Sequence, residues 1–323
     1  MKLKIIKWIT IILSVFVIAA IFLVYQFGPV VGAQFGKPIY ITQPTATKYG
    51  KVALDMIELN GYYTKDEKWK KVKEKLEKEM EKVSVYEDTY PLIEEALQVG
   101  GGKHSFLLTK EDQYTLSAQN EMPTVVREDD VLIIKLPQHA DAAASGKQYA
   151  ETVLHQIKNN DDVQGAIIDL RGNSGGDMGP MITAVSPFLK DGDLLHFHFL
   201  EDETTVKLED GKSIGGGTQI STDTAPFKLD VPVAVLIDHK IASSGEAVLM
   251  AFMGQPHTKT FGQATAGYAS ANMTLPLYDG AKINITVAYN KTLDGRMFYD
   301  DPIPPEVETN EPLEKAKNWL LNK

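Results

Sequence analysis

Two apolar runs separated by a short polar stretch organise the reading of this chain. Val231-Pro232-Val233-Ala234-Val235-Leu236-Ile237 is short and β-branched, so it predicts a buried strand. After Ile241-Ala242-Ser243-Ser244-Gly245-Glu246-Ala247, a second run from Val248 to Met253 is rich in Ala, Leu and Met and predicts a helix. A hydroxyl at a strand-to-helix junction meets unpaired N–H groups and the positive end of the helix dipole. That setting suits an alkoxide and can receive an oxyanion. Ser243-x-x-Glu246 is equally a capping box, and taken alone the segment favours the cap.

A second stretch shifts the balance. Ile167-Ile168-Asp169-Leu170-Arg171-Gly172-Asn173-Ser174-Gly175-Gly176-Asp177 reads as a buried strand running into a glycine-rich turn. Such a turn can bring bare backbone N–H groups against a ligand. One strand end offers a hydroxyl and the other offers amides, which is what acyl transfer requires.

The same patterns place the rest of the chain. Trp8 to Phe27 carries no charge and is long enough to cross a bilayer as a helix, with Lys2, Lys4 and Lys7 before it. This predicts an uncleaved single-pass anchor at the cell membrane, N-terminus cytoplasmic and everything after Gly28 outside. A polar spacer is expected from Gly28 to Lys48. Helical periodicity runs from Val52 to about Gly100, with a capping box at Thr64-Lys65-Asp66-Glu67 and a stop at Gly100-Gly101-Gly102. Strands are expected at 131–136, 164–170, 194–199, 204–208, 273–277 and 282–288, with Lys259-Thr260-Phe261 and a turn between the central helix and the last two. Helices are expected at 145–158, 178–189 and 312–321. Lys212 to Thr224 has the composition of a mobile loop. Alternating strands and helices predict an α/β (α+β) layered core.

Composition narrows the function classes. The formal charge is −10, and without the three N-terminal lysines it is −13, which argues against nucleic acid or an anionic membrane surface as partner. There is no cysteine, hence no disulfide, thiol nucleophile or Cys-based metal site. His196-x-His198 reads as strand surface, so neither a metal nor a cofactor is expected. His239, four residues before Ser243, reads as a loop histidine.

Taken together, these residues resemble the C-terminal (tail-specific) processing peptidases, the tricorn core and the retinoid-binding proteins of the same crotonase-like fold. The match runs through His104-Ser105, Asp169-Leu170-Arg171-x-Asn173-Ser174-Gly175-Gly176 and Ser243-Ser244-Gly245-Glu246. It continues through Gly262-Gln263-Ala264-Thr265-Ala266-Gly267 and Ile303-Pro304-Pro305-Glu306-Val307. Tyr268 stands where the tail-specific branch has its catalytic lysine, and Ser105 to Val131 is too short for a peptide-binding PDZ module. The resemblance therefore implies the PDZ-less branch with Ser–His catalysis. It implies Ser243 as nucleophile, His104 as base, and a Gly175 or Gly176 amide with the Ser244 amide as oxyanion hole. Ser105 and Asp300 or Asp301 are implied as groups orienting the base.

The expected division is 1–28 cytoplasmic tip and anchor, 29–102 spacer and helical module, and 103–323 peptidase core. The expected activity is hydrolysis of peptide bonds in a peptide or protein substrate outside the membrane. The alternative is a catalytically silent member that binds an apolar ligand or peptide in the same cleft.

Overall fold

Thirty-three residues without an acidic side chain form the first helix, α1 (Lys2–Gln34). It is the single helix among the described residues long and apolar enough to cross a membrane. The computed structural model describes residues 2–117 and 121–321. The helix does not stop at Gly28 as the glycine and proline predict. It continues through Pro29, whose missing N–H orphans the Tyr25 carbonyl. Lys48 supplies the replacement donor, its Nζ lying 2.7 Å from that oxygen and 3.0 Å from the centroid of the Tyr25 ring. The chain then turns back along the helix, with Lys37 N–H donating to Gly32 O (2.9 Å) and Ile39 N–H to Gly28 O (3.2 Å). A Cβ on Gly32 would stand 2.4 Å from Lys37 O, so glycine is what permits this approach. The predicted spacer is thus partly a folded hairpin.

In chain order the remaining elements are α2 (Ala46–Asn60), α3 (Glu67–Met80), α4 (Tyr90–Gly100), β1 (Phe106–Leu108), α5 (Lys110–Ser117), β2 (Thr124–Glu128) and β3 (Val131–Lys135). Then come α6 (Ala142–Lys158), β4 (Gly165–Asp169), α7 (Met178–Ala184), β5 (Gly192–His198), β6 (Glu203–Glu209), β7 (Lys212–Ile214) and β8 (Val233–Ile237). The chain closes with α8 (Ser244–Phe252), β9 (Thr258–Gly262), β10 (Ser270–Pro276), β11 (Lys282–Lys291), β12 (Val307–Glu308) and α9 (Pro312–Leu321). Residues 118–120, inside the interval read as lacking a PDZ module, lie outside the described residues.

By contacts the chain divides into two units, Met1–Asp112 with Asn272–Val287 and Gln113–Ala271 with Ala288–Lys323. In the first unit α2, α3 and α4 enclose Tyr49, Met56, Ile57, Trp69, Leu76 and Leu97, all fully buried. Helix α3 starts at Glu67 after Asp66, and the Thr64 hydroxyl turns away from the predicted box to the Glu58 and Gly61 carbonyls. Helix α4 runs into Gly100, because a residue without a side chain is needed there against the Trp69 ring. Strand β1 pairs antiparallel with the start of β11, Phe106 opposite Asn284.

The second unit is built on a sheet of order β12-β9-β8-β4-β3-β2, parallel except for edge strand β2. Every residue of β4 and β8 is buried, as a parallel sheet covered on both faces demands. Ala166, Ile168, Val233 and Val235 point to a core with α6, α7 and α8, whereas Ile167, Ala234 and Leu236 point to α9. This is the expected layered α/β core, and it brings the carboxyl ends of β3, β4, β8 and β9 to one edge. Strands β5, β6 and β7 with the end of β11 form further antiparallel pairings of this unit. Residues 215–232 carry no regular structure but are clamped. Asp177 accepts from Thr218 N–H (2.8 Å) and hydroxyl (2.6 Å), and Glu151 from Thr224 N–H (3.0 Å) and hydroxyl (2.6 Å). Composition alone suggests a slack loop; two carboxylates distant in sequence hold it.

Trp69→Ala removes the largest side chain of the helical core and is expected to lower stability by about 3–5 kcal/mol. Urea unfolding followed by circular dichroism checks it.

Candidate active site

Strand β8 delivers the chain to the sheet edge, and Ala242 N–H donates to Asn173 O at 3.1 Å, joining the two predicted stretches. Ser243 follows with φ 53° and ψ −121°. A side chain in that region costs on the order of 1–3 kcal/mol, and such residues persist only where the surroundings enforce them. Glu246 is that enforcement. It is fully buried, and its carboxylate accepts from Ser243 N–H (3.2 Å), Tyr268 N–H (2.7 Å), Gly267 N–H (2.9 Å) and the Thr265 hydroxyl. The predicted capping box of Ser243 and Glu246 is present, but three of the four bonds to the Glu246 carboxylate come from a turn about twenty residues downstream. Burial pushes the Glu246 carboxyl above its usual range, and these four donors pull against that.

The glycine turn lies against the serine. A Cβ on Gly175 would be 2.8 Å from Ser243 Cβ and 3.2 Å from Ser244 N. Gly175 (φ 113°) and Gly176 (φ 109°) both adopt conformations that favour glycine. The turn is shaped by Asn173, fully buried, whose Nδ2 donates to Leu136 O (2.9 Å) and whose Oδ1 accepts Gly175 N–H (2.9 Å). The Gly175 amide is thus already engaged, while Gly176 is exposed. Ser244 Oγ donates to Gly176 O at 2.7 Å, a second tie between the turns. Arg171 pairs with Asp169 (2.7 Å) at the rim and Asp238 accepts Gly172 N–H (3.1 Å), so these charges shape loops.

Asp300 and Asp301 belong to the same unit. Asp300 Oδ1 accepts from Tyr289 OH at 3.2 Å, and Asp301 N–H donates to Phe298 O. A Cβ on Gly267 would stand 2.6 Å from Asp300 O, so the two aspartates flank the turn that Glu246 holds.

His104 and Ser105 belong to the other unit. His104 is partly buried with its carbonyl accepting from Asn272 Nδ2 (2.7 Å), and burial, then the Lys103 charge, lowers its pKa from 6.5 to about 4. The imidazole is therefore neutral near pH 7, the form a proton acceptor needs. Ser105 is fully buried and its Oγ accepts Thr286 N–H at 2.9 Å, so this hydroxyl stitches β1 to β11.

One residue here carries no sequence signal. His139 is fully buried, its backbone forms a bridge with Gly176, and its O accepts Asp177 N–H at 2.7 Å. Its ring packs 4.7 Å from Tyr149 and its Nε2 sits 3.2 Å from Ser145 Oγ. A Cβ on Gly176 would be 2.3 Å from His139 O, so this loop backs the glycine turn directly.

The hydroxyl of Ser243, held in a strained conformation beside a glycine turn at the end of a parallel strand, offers the candidate nucleophile of a serine-type peptidase. The family model described as Peptidase family S41 matches residues 130–309, and the chain belongs to that family. A nisin-resistance protein of Lactococcus lactis subsp. lactis is 35% identical over 87% of this chain and 89% of its own length. A solved lipoprotein structure from Streptococcus agalactiae has a TM-score of 0.79 and 32% identity, covering 88% of this chain and 99% of that one. A CtpA-like serine protease of Staphylococcus aureus is 26% identical over half of this chain, which spans 30% of that relative.

Glu246→Gln places an amide NH2 against two of the four donors. It is expected to lower stability by about 2–4 kcal/mol, read by chemical unfolding at pH 7. His104 adds a pH dependence of known sign. Between 6.5 and about 4 the unfolded chain holds a proton that the folded chain does not. Stability should therefore fall as pH drops through that window, and His104→Asn should show a shallower decline in the same titration.

Proposed function

We propose that this serine-type peptidase is held at the outer face of the cell membrane by α1 and cleaves peptide bonds by Ser–His acyl transfer. Ser243 is the nucleophile, His104 takes its proton and returns it to the leaving amine, and the amides of Gly176 and Ser244 receive the oxyanion. The observation that carries the reading is Ser243 itself. A non-glycine residue at φ 53° opening a helix, locked by a buried carboxylate, is strain maintained at a point where a cap alone needs none. Gly176 is preferred to Gly175 because the Gly175 N–H is spent on Asn173. Asp300 or Asp301 is assigned to orienting the base, and Ser105 to placing the histidine-bearing segment.

Likeness to the nisin-resistance protein supports nisin as the first substrate to try. Tail recognition of the CtpA-like kind is left aside, since the chain spans 30% of that relative.

The test uses the full chain in detergent with a serine-directed phosphonate and with nisin, cleavage being followed by mass spectrometry. Expected are labelling at Ser243, loss of labelling and cleavage in Ser243→Ala, and a fall of about 10³-fold or more in His104→Ala. Unimpaired cleavage by Ser243→Ala overturns the assignment, and a folded chain that is neither labelled at Ser243 nor cleaves favours the ligand-binding alternative. The pH profile gives a separate check. With the base titrating at about 4, kcat/KM should hold its value down to about pH 5 and fall below it. A limb at histidine's ordinary 6.5 contradicts His104 as the base in this environment.

A further inference from the structure

The segment that leaves the membrane helix raises a separate question. Twenty residues from Trp8 to Phe27, at about 1.5 Å each, span about 30 Å, the thickness of the hydrocarbon layer. If this stretch fills the hydrocarbon layer, Gly28 lies at its outer boundary. The chain runs on to Gln34, reverses, and returns to that height, because Ile39 N–H bonds to Gly28 O at 3.2 Å.

At this level four large apolar side chains point outward. Phe27 and Val31, one helical turn apart, are 55% and 53% exposed, and Ile39 and Ile41 are 52% and 46% exposed. Between the two isoleucines Tyr40 turns the other way and packs edge-on against Tyr278, ring centroids 5.0 Å apart. The hairpin is not free to hide these residues. Ala33 is buried in the core of the helical module, Lys48 holds the Tyr25 carbonyl, and Tyr86 OH donates to Pro44 O at 2.6 Å. Phe27, Val31, Ile39 and Ile41 lie on the sides of the segment that these contacts leave uncovered.

We propose that Phe27, Val31, Ile39 and Ile41 form a collar that sits in the interface of the outer leaflet, fixing the helical module against the lipid surface. The occupant is a phospholipid bilayer. The collar is continuous with the membrane helix, and its level is set by the length of that helix. The contact is apolar, in keeping with a chain whose charge disfavours anionic surfaces. The inference rests on the reading of α1 as a membrane anchor.

The absence of cysteine allows single-site labelling of the full chain. An environment-sensitive fluorophore is attached to Ile18→Cys, Ile39→Cys, Ile41→Cys and Leu200→Cys, the last an exposed residue between β5 and β6. The proteins are reconstituted in phosphatidylcholine vesicles carrying nitroxide lipids with shallow or deep labels. Ile18→Cys should be quenched chiefly by the deep label. Ile39→Cys and Ile41→Cys should be quenched by the shallow label several-fold more than Leu200→Cys. Quenching at Ile18→Cys with none above the Leu200→Cys level at 39 and 41 overturns the collar and leaves the anchor standing. Blue-shifted emission at 39 and 41 without lipid quenching also overturns it, since protein then covers the patch. No quenching at Ile18→Cys removes the anchor and the collar together.

Discussion

The carboxylate of Glu246 is the constraint on which the geometry around Ser243 depends. Its two oxygens accept four donors, one from the residue that opens α8 and three from the turn at 265–268. Thr265, so held, accepts Ile303 N–H at 2.9 Å, which extends the tie to the segment after Asp300 and Asp301. Neutral side chains cannot substitute. An amide has one accepting oxygen, and a hydroxyl cannot reach both turns. The positive φ at Ser243 thus coincides with a bond from its N–H to a buried carboxyl that three further donors hold.

A second tier of polar ties holds the opposing wall. Asn173 bonds β3 to the glycine turn through its side chain and the approach to Ser243 through its carbonyl. Gly245 is glycine because a Cβ there would stand 2.6 Å from that carbonyl. His139 and Asp177 back the turn, and Asp177 continues into the clamp on Thr218. None of these groups needs to touch substrate to matter. Preorganised donors contribute to rate only if they are already aimed when charge develops, and these contacts hold the glycine turn in one shape.

The parts legible in the sequence were those written locally. Val233–Ile237, the helix after Ser243 and the glycine turn at 172–176 each carry their signal within about ten residues, and the layered α/β core followed from their alternation. What failed to show was decided by distant partners. Glu246 reads as a helix cap because Thr265, Gly267 and Tyr268 are invisible to local spacing. Gly28 and Pro29 read as a helix stop, but Lys48 repairs the missing bond and the returning chain needs the glycines. The loop after β7 reads as slack because Asp177 and Glu151, which pin it, lie about forty and seventy residues away. His139 had no motif, since its importance lies in its backbone.

The most direct measurement of the central claim is the rate at which a serine-directed phosphonate inactivates Glu246→Gln, compared with the unaltered chain, under conditions where unfolding curves show both folded. Loss of the enforced Ser243 geometry predicts inactivation slower by about 10²-fold, the order of effect for a reacting atom displaced by roughly an ångström. Equal rates in the folded proteins would contradict the account, because the serine would then hold its reactive conformation without the carboxylate.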